Sequence, residues 1–337
     1  MASGKRIIWV CACLLVGLLI GGATWLRAET QPTAAAPAFY IRFERRMPLL
    51  DVLGKLQTQN VIRDARAMRL LALLQRRVQG VALGTYLVAP GMDASQVLNS
   101  LRNPIVWRIR IPEQNWALRT AHLLEERDVL TADDYVAAVD HPELVKNQVT
   151  FPIEGATLEG YLFPDTYDLA PITPAADVVN RQLKAFQKKV WDGLGRPANL
   201  YRTLIIASLI ELEVARDDER PVVAGVIENR LAKGMPLELD ATVCYARQKW
   251  GALTRREIRT TRSPYNTYLN KGLPPGPICS PSVKSILAAM HPAKHDFLYY
   301  VAMPDGHSVF AKTEAEHEHN VRVRKLLLAQ AAGAAQK

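Results

Sequence analysis

The longest apolar segment of the chain lies near its N-terminus. Residues 7–26 carry no charged side chain, and about 20 such residues span a bilayer as a helix. This apolar core is longer than that of a cleavable signal peptide. The pattern therefore predicts a tail over residues 1–6, a transmembrane helix over 7–26, and a linker rich in Ala, Thr and Pro over 27–37.

The orientation of this helix is predicted from what flanks it. Lys5, Arg6 and the free amino terminus favour a cytoplasmic N-terminus, although Arg42, Arg45 and Arg46 follow on the other side. A short tail followed by a long domain usually exports the domain. We therefore expect a single-pass membrane protein whose residues 27–337 lie outside the cytoplasm, which in a bacterium is the periplasm or the cell surface.

A small module is predicted after the linker, over residues 38–103. Leu49, Val52, Leu53 and Leu56 recur at helical spacing and predict an amphipathic helix. A second helix, a short strand and a third helix capped by Asp93 follow along the chain.

The pattern changes again over residues 104–335, which we predict to form a second, larger domain. Val106 to Pro112 alternates as a strand does, and two more strands flank the turn at residues 304–306. Several helix starts are marked by capping residues, listed here: Thr131, Thr254, Ser280 and Thr313. Helices and antiparallel strands mix without regular alternation, so the fold class is predicted to be α+β.

The composition and the net charge limit the classes of partner that the protein could bind. The chain is 49% hydrophobic and 22% charged, as in globular proteins, and its net charge is +9. The predicted export and the lack of a long basic run argue against nucleic acid as a partner. An anionic polymer, a membrane surface or simply a solvated basic surface would each account for the charge.

Metal and disulfide chemistry find little support. Cys244 and Cys279 lie outside the apolar segment, and we expect free thiols, or one bridge in an oxidising compartment. His291 and His295 are four residues apart, but Pro292 interrupts any helix between them. We predict no metal site and no cofactor.

Two glutamates interrupt an apolar run at residues 204–215. Glu211 and Glu213 are two residues apart, so on a helix they point about 200° apart and cannot act as a close pair. Glu213 faces the polar side, and we expect it to pair with Arg216, Arg220 or Arg230. Glu211 has small and apolar sequence neighbours and no local cation, a setting that favours the protonated acid. A purely structural hydrogen bond or ion pair is the alternative.

Five segments together resemble one known family, the endolytic murein transglycosylases, also called the YceG-like or MltG family. They are ASLIELEVARDDERPVVAGVIENRLAKGMPLELDATVCYA from Ala207, EGYLFPDTY from Glu159, SPYNTYLNKGLPPGPI from Ser263, AAMHPAKHDFLYYVA from Ala288, and GHSVFAKTEAEHEHNV from Gly306. The resemblance covers nearly everything after the linker.

The resemblance implies a lyase anchored in the bacterial inner (cell) membrane, with a LysM-like module over residues 38–103 and a periplasmic catalytic domain over residues 104–335. Such enzymes cut peptidoglycan glycan strands internally, between N-acetylmuramic acid and N-acetylglucosamine, and leave 1,6-anhydromuramic ends. Glu211 matches the first glutamate of the family's ExE pair, which is its catalytic acid. The expected partners are glycan strands, the membrane through residues 7–26, and peptidoglycan synthases. A catalytically silent peptidoglycan-binding scaffold and a water-using muramidase are the alternatives.

The roles of the other site residues stay open. Residues of the loop from Ser263 could hold sugar rings or brace the fold, and they are Tyr265, Asn266, Thr267 and Tyr268. Glu213 and Asp240 are candidate substrate contacts or supports, which Asn229 and Arg230 could orient. The chain departs from the family's usual I-x-N-P-G segment at "ICSPS", where Ser280 and Ser282 replace the asparagine and the glycine.

Overall fold

The computed structural model describes residues 2–77, 80–145 and 148–334, without the side chains of residues 2–8 and 332–334. Residue 1 of the predicted tail and residue 335 of the predicted catalytic domain lie outside this part. The chain forms two compact units: Met1–Trp107 with Ala170–Ile172, and Arg108–Leu169 with Thr173–Lys337.

The chain begins with one long helix, α1, over Ala2–Glu29. Its segment Trp9–Glu29 is long and apolar enough to cross a membrane, and none of its most apolar window is buried in the protein. Large apolar side chains such as Trp9 and Leu18 are mostly exposed. An apolar helix whose most apolar window is exposed is a candidate membrane anchor.

A small α+β module follows α1 in the first unit. Its elements are β1 (Phe39–Phe43), α2 (Leu49–Thr58), α3 (Ala65–Leu74), β2 (Gly84–Val88) and α4 (Ala94–Ser100). The two strands are antiparallel, with Ile41 opposite Tyr86. Val52, Leu53 and Leu56 are fully buried against them, which confirms the amphipathic pattern of α2. The cap predicted at Asp93 is also confirmed, and it forms a capping box with Gln96.

Helices dominate the chain from residue 107 onward. The elements are β3 (Trp107–Arg110), α5 (Ala117–Glu125), α6 (Ala132–Val139), β4 (Thr166–Leu169), α7 (Ala175–Phe186), α8 (Leu200–Glu213), α9 (Arg220–Ala232), α10 (Asp240–Ala246), α11 (Arg255–Thr260), α12 (Val283–Met290), β5 (Tyr299–Ala302), β6 (Ser308–Ala311) and α13 (Glu314–Ala334). A 3₁₀ turn at Pro142–Leu144 and a π-helical turn at Gln187–Trp191 complete them. The mixture confirms the α+β class.

Helix α8 lies at the centre of the second unit. It packs against α9, α10 and α12, and every side chain from Thr203 to Glu211 is buried. A helix that is apolar on all sides needs partners on all sides, which explains its central position.

The strands of the second unit form two separate two-stranded sheets. β3 pairs with β4, and β5 forms an antiparallel hairpin with β6 in which Val301 lies opposite Val309. The turn of the hairpin contains Gly306 at φ +87°, a backbone conformation that glycine adopts without strain. The two strands predicted around residues 304–306 are therefore confirmed.

Candidate active site

Glu211 lies in the last turn of α8, at the edge of an open cleft. The helix ends at Glu213 because Val214 takes an extended conformation. The cleft has a volume of about 480 Å³. Charged residues line much of it: Arg110, Glu113, Asp165, Lys189, Glu211, Asp217, Arg220 and Lys284. Although Glu211 is only 3% exposed, it is among these lining residues.

The carboxyl group of Glu211 is held by the start of α12. The Ser282 amide donates to Oε2 of Glu211 at 2.9 Å, and the Ser282 hydroxyl donates to the same oxygen at 2.6 Å. Ser282 is also the N-cap of α12, since its Oγ accepts from the Ser285 amide at 3.3 Å. The observed cap thus lies two residues after the predicted one, Ser280. The amide of Ser280 instead donates to the Asn115 carbonyl.

A cation also contacts Glu211, contrary to the sequence-based expectation. Nη1 of Arg220 lies 3.3 Å from Oε2 of Glu211, and the two side chains are only 10% and 4% exposed. Arg220 begins α9, nine residues further along the chain. The expectation considered only neighbours along α8, whereas the turn after α8 brings Arg220 back to the carboxyl group.

Arg220 is itself fixed by further contacts. Its Nε donates to Oδ1 of Asp217 at 3.1 Å, and its Nη1 donates to the hydroxyl of Ser285. Lys284 pairs with the other oxygen of Asp217. Hydrogen bonds from Lys284 and then Arg220 lower the pKa of the Asp217 carboxyl group. Asp217 therefore serves as an ionised anchor for the two cations.

The other acidic groups of the cleft have basic partners. Lys189 lies 2.6 Å from Asp165, and Arg110 lies 3.4 Å from Glu113. Glu211 differs from them because its oxygen accepts from a serine at the helix start and because it is nearly fully buried.

Glu213 lies in a different environment from Glu211, but not in the predicted one. It accepts from the Tyr300 hydroxyl at 3.2 Å, whereas the predicted partner Arg220 contacts Glu211. Burial, together with the charge of Asp240, raises the pKa of Glu213 to about 7, although the Tyr300 hydroxyl lowers it. The prediction of an arginine partner for Glu213 is therefore wrong. Arg230 instead donates to main-chain carbonyls.

Asp240 belongs to the surroundings of Glu213. The Tyr268 hydroxyl donates to Oδ1 of Asp240 at 2.8 Å. Burial raises the pKa of Tyr268, and its hydrogen bond to Asp240 raises it further. Glu213, Asp240, Tyr268 and Tyr300 thus form a second polar cluster, separate from the residues that line the cleft of Glu211.

The remaining candidates of the loop brace the backbone. Nδ2 of the Asn266 side chain donates to the main-chain carbonyls of Ile258 and Thr261 at 2.8 and 2.9 Å. The Thr267 hydroxyl accepts from the Leu239 amide at 3.0 Å. Both side chains are almost completely buried, which matches the structural alternative that the sequence left open. The ring of Tyr265 packs 4.9 Å from that of Tyr245.

Asn229 and Arg230 also bind main-chain atoms. Nδ2 of Asn229 donates to the carbonyls of His295 and Phe297 at 2.8 and 3.0 Å. Arg230 donates to the Leu298 carbonyl at 2.6 Å and to the Leu237 carbonyl at 3.0 Å. They fix the segment that leads into β5.

Sequence reasoning missed Arg220 and Ser282 as site residues. Ser282 stood out only as a departure from the family's "I-x-N-P-G" segment, and nothing marked its contact with Glu211.

Cys244 and Cys279 are both buried free thiols. In the part of the chain that the structure describes, no group of three His, Cys, Asp or Glu side chains is arranged to hold a metal ion.

Fold and site together define a class of protein: a mixed α+β chain with an apolar N-terminal helix and one buried glutamate at an open, charged cleft. The sequence profile described as the YceG-like family matches residues 41–323. The chain therefore belongs to the YceG-like family.

Individual relatives agree with this family. An endolytic murein transglycosylase of Bacillus subtilis is 31% identical over 281 residues, which cover 78% of each chain. The endolytic murein transglycosylases of two Streptococcus pneumoniae strains are 30% identical to this chain over 273 residues. The match covers 71% of this chain and 50% of each relative. The chain thus spans about half the length of the streptococcal relatives.

One solved structure has the same fold. A yceG-like protein from Listeria monocytogenes superimposes with a TM-score of 0.56 at 26% identity. The superposition covers 84% of this chain and 98% of that protein.

Proposed function

We propose that this protein is an endolytic lytic transglycosylase of peptidoglycan. It cleaves glycan strands internally between N-acetylmuramic acid and N-acetylglucosamine and leaves 1,6-anhydromuramic ends. The observation that carries the proposal is the placement of Glu211, buried yet facing a cleft, on the fold of relatives named endolytic murein transglycosylases.

Glu211 acts first as an acid and then as a base. Its carboxyl group donates a proton to the glycosidic oxygen as the bond from that oxygen to C1 of the muramic acid breaks. The C6 hydroxyl of the same sugar then bonds to C1, and its proton passes to the Glu211 carboxylate. Because the nucleophile is part of the substrate, proximity replaces the second carboxyl group that a hydrolysing glycosidase needs.

The contacts of Glu211 fit these two roles. The Ser282 amide and hydroxyl and the Arg220 guanidinium all approach Oε2, so Oε1 is the oxygen that exchanges the proton with substrate. Donors fixed in advance stabilise the carboxylate that forms when the proton leaves. The side chains of Glu113, Asp165 and Asp217 are 39%, 35% and 53% exposed, whereas that of Glu211 is 4% exposed. This burial favours Glu211 as the group that reacts.

The domain organisation and cellular location follow as further parts of the proposal. Residues 7–26 span the cell membrane with a cytoplasmic tail over 1–6, and the linker 27–37 leads to a LysM-like, glycan-binding module over 38–103. The catalytic domain, residues 104–335, is periplasmic. Peptidoglycan synthases are the protein partners, because cleavage of nascent strands ends their elongation.

The other predicted site residues take supporting roles. Glu213, Asp240 and Tyr268 stabilise the C-terminal end of α8 from the side away from the cleft. Asn229, Arg230, Asn266 and Thr267 hold the segments around them through main-chain contacts. Tyr265 packs beside Tyr245 and is the remaining candidate for contact with a sugar.

Mass spectrometry of the products tests the function. The full chain in detergent is incubated with purified uncrosslinked glycan strands, and products ending in 1,6-anhydromuramic acid are expected. A water-using muramidase would give products heavier by one water with reducing ends. A silent scaffold would release nothing, and either result would overturn the proposal.

A further inference from the structure

The outward face of α3 carries an apolar stripe between two pairs of arginines. Leu70, Leu73 and Leu74 are 40%, 43% and 67% exposed, and they recur at the spacing of one helix face. Arg66 and Arg69 precede them, while Arg76 and Arg77 follow. The opposite face of α3, with Ala65, Ala67, Met68 and Ala72, is buried in the module. Exposed leucines grouped on one helix mark an interaction surface.

Basic charge is concentrated in this module. Residues 38–103 contain ten Lys and Arg against four Asp and Glu, which gives +6 of the chain's +9. Next to α3, two adjoining cavities of about 440 and 300 Å³ share Leu49, Arg77 and Gly80. Arg76 and Arg102 line the larger cavity, and Arg69 lines the smaller one. Arginines around an open groove suit the phosphates of lipid headgroups.

The module is also tied to the end of the candidate membrane helix. Glu29 and Thr30, at the end of α1, line a small cavity together with Met68 of α3. Arg63 donates to the Pro32 carbonyl at 3.2 Å, and the Gly91 amide donates to the Thr33 hydroxyl at 3.1 Å. The linker therefore lies on the module, which keeps α3 close to the point where the chain leaves the bilayer.

We propose that the leucine–arginine face of α3 binds the surface of the anionic bilayer that α1 anchors. Leu70, Leu73 and Leu74 enter the boundary between headgroups and acyl chains, and the arginines contact anionic headgroups. An amphipathic helix with an apolar stripe and basic flanks binds a membrane in this way. The contact would hold the module against the membrane, in addition to the anchor, and it does not depend on catalysis.

Fluorescence in proteoliposomes tests this surface. Cys11 and Cys13 of the full chain are replaced by Ala because they are exposed, whereas Cys244 and Cys279 are buried and are kept. An environment-sensitive fluorophore is attached to Leu74→Cys or, as the control, to Leu144→Cys. Leu144 is 68% exposed, like Leu74 at 67%, but lies in the second unit. The vesicles contain phosphatidylcholine with or without phosphatidylglycerol.

At position 74 we expect a blue-shifted emission and at least two-fold stronger quenching by spin-labelled lipid than at position 144. Both effects should grow with the fraction of phosphatidylglycerol and weaken in salt. Replacing the four flanking arginines by Gln should abolish the dependence on phosphatidylglycerol, whereas replacing them by Lys should keep it.

Three results would overturn the proposal. Equal quenching at positions 74 and 144 would show that α3 does not enter the bilayer. Quenching at position 74 that does not change with the fraction of phosphatidylglycerol would rule out binding of anionic headgroups by the arginines. A blue shift that follows protein density instead of lipid composition would indicate contact with a second copy of the chain.

Discussion

The hydroxyl of Ser282 lies 2.6 Å from Oε2 of Glu211, so the residue that caps α12 also holds the carboxyl group at the end of α8. One side chain thus links the start of one helix to the candidate catalytic group of another. A glycine at this position would offer only its amide. The Ser282 hydroxyl therefore adds a second donor to Glu211.

Ser282→Ala removes this hydroxyl but keeps the amide donor. We expect at least about ten-fold slower glycan cleavage, because a hydrogen bond to a charged group contributes roughly 1.5–3 kcal/mol. Ser282→Thr keeps a hydroxyl and should behave like the wild type.

The cap of α12 is lost in the same variant, which costs about 1 kcal/mol of stability. Loss of a cap alone would lower stability and leave the cleavage rate of the folded protein unchanged. A wild-type rate in folded Ser282→Ala would therefore contradict the role of Ser282 at Glu211.

Glu211→Gln should abolish cleavage while the protein stays folded, because Gln cannot deliver or accept the proton. We expect a loss of at least about 10³-fold, in the upper part of the range for general acid–base catalysis. Arg220 keeps its hydrogen bonds to Asp217 and Ser285 in this variant.

Glu213→Gln is the matched control, two residues away on the same helix. It should keep cleavage within about ten-fold, since Glu213 contacts Tyr300 and does not line the cleft. Release of anhydromuropeptides by Glu211→Gln would refute the assignment of the catalytic acid, as would a complete loss in Glu213→Gln alone.

Arg220→Met should destabilise the fold by about 3–5 kcal/mol, because it leaves the buried Glu211 without its cation. Urea unfolding of the detergent-solubilised chain measures the change. Arg322→Met is the control, since both side chains of the Arg322–Glu318 pair are 64% exposed and an exposed ion pair adds little to stability. Adding Glu211→Gln to Arg220→Met should recover part of the loss. Equal destabilisation by both arginine variants would rule out a special role for Arg220.

Glu159 should make the protein less stable as the pH rises. It is 4% exposed and accepts from the Ala117 amide at 2.8 Å, and burial, its largest influence, raises its pKa from 4.5 to about 8. Between these two values the folded state keeps the proton and the unfolded state releases it. Stability should therefore fall between pH 4.5 and about pH 8, by at most about 1.4 kcal/mol per pH unit, and level off above.

Glu159→Gln should make this slope smaller between pH 5 and 7, where Glu213 also contributes, and should remove it between pH 7 and 8, as measured by urea unfolding at pH 5, 6, 7 and 8. Glu154→Gln, at an exposed position nearby, is the control and should keep it. An unchanged slope in Glu159→Gln would show that the dependence arises from other groups.

Local patterns predicted much of the fold. The spacing of Val52, Leu53 and Leu56 predicts α2 because a helix buries one face every 3.6 residues. The Pro304–Gly306 turn predicts the β5–β6 hairpin, since the turn and its flanking strands are contiguous in sequence. The start of α12 was predicted two residues early, because both Ser280 and Ser282 can cap and only their contacts decide between them.

The sequence by itself determined that Glu211 and Glu213 face different surroundings, since residues two apart on a helix point to different sides. Only the tertiary structure decided what those surroundings are. Arg220 and Ser282 come from α9 and the start of α12, and Tyr300 comes from β5, far from Glu213 in sequence. The charge around a buried carboxyl group depends on which segments pack against its helix, and helical spacing describes one helix only.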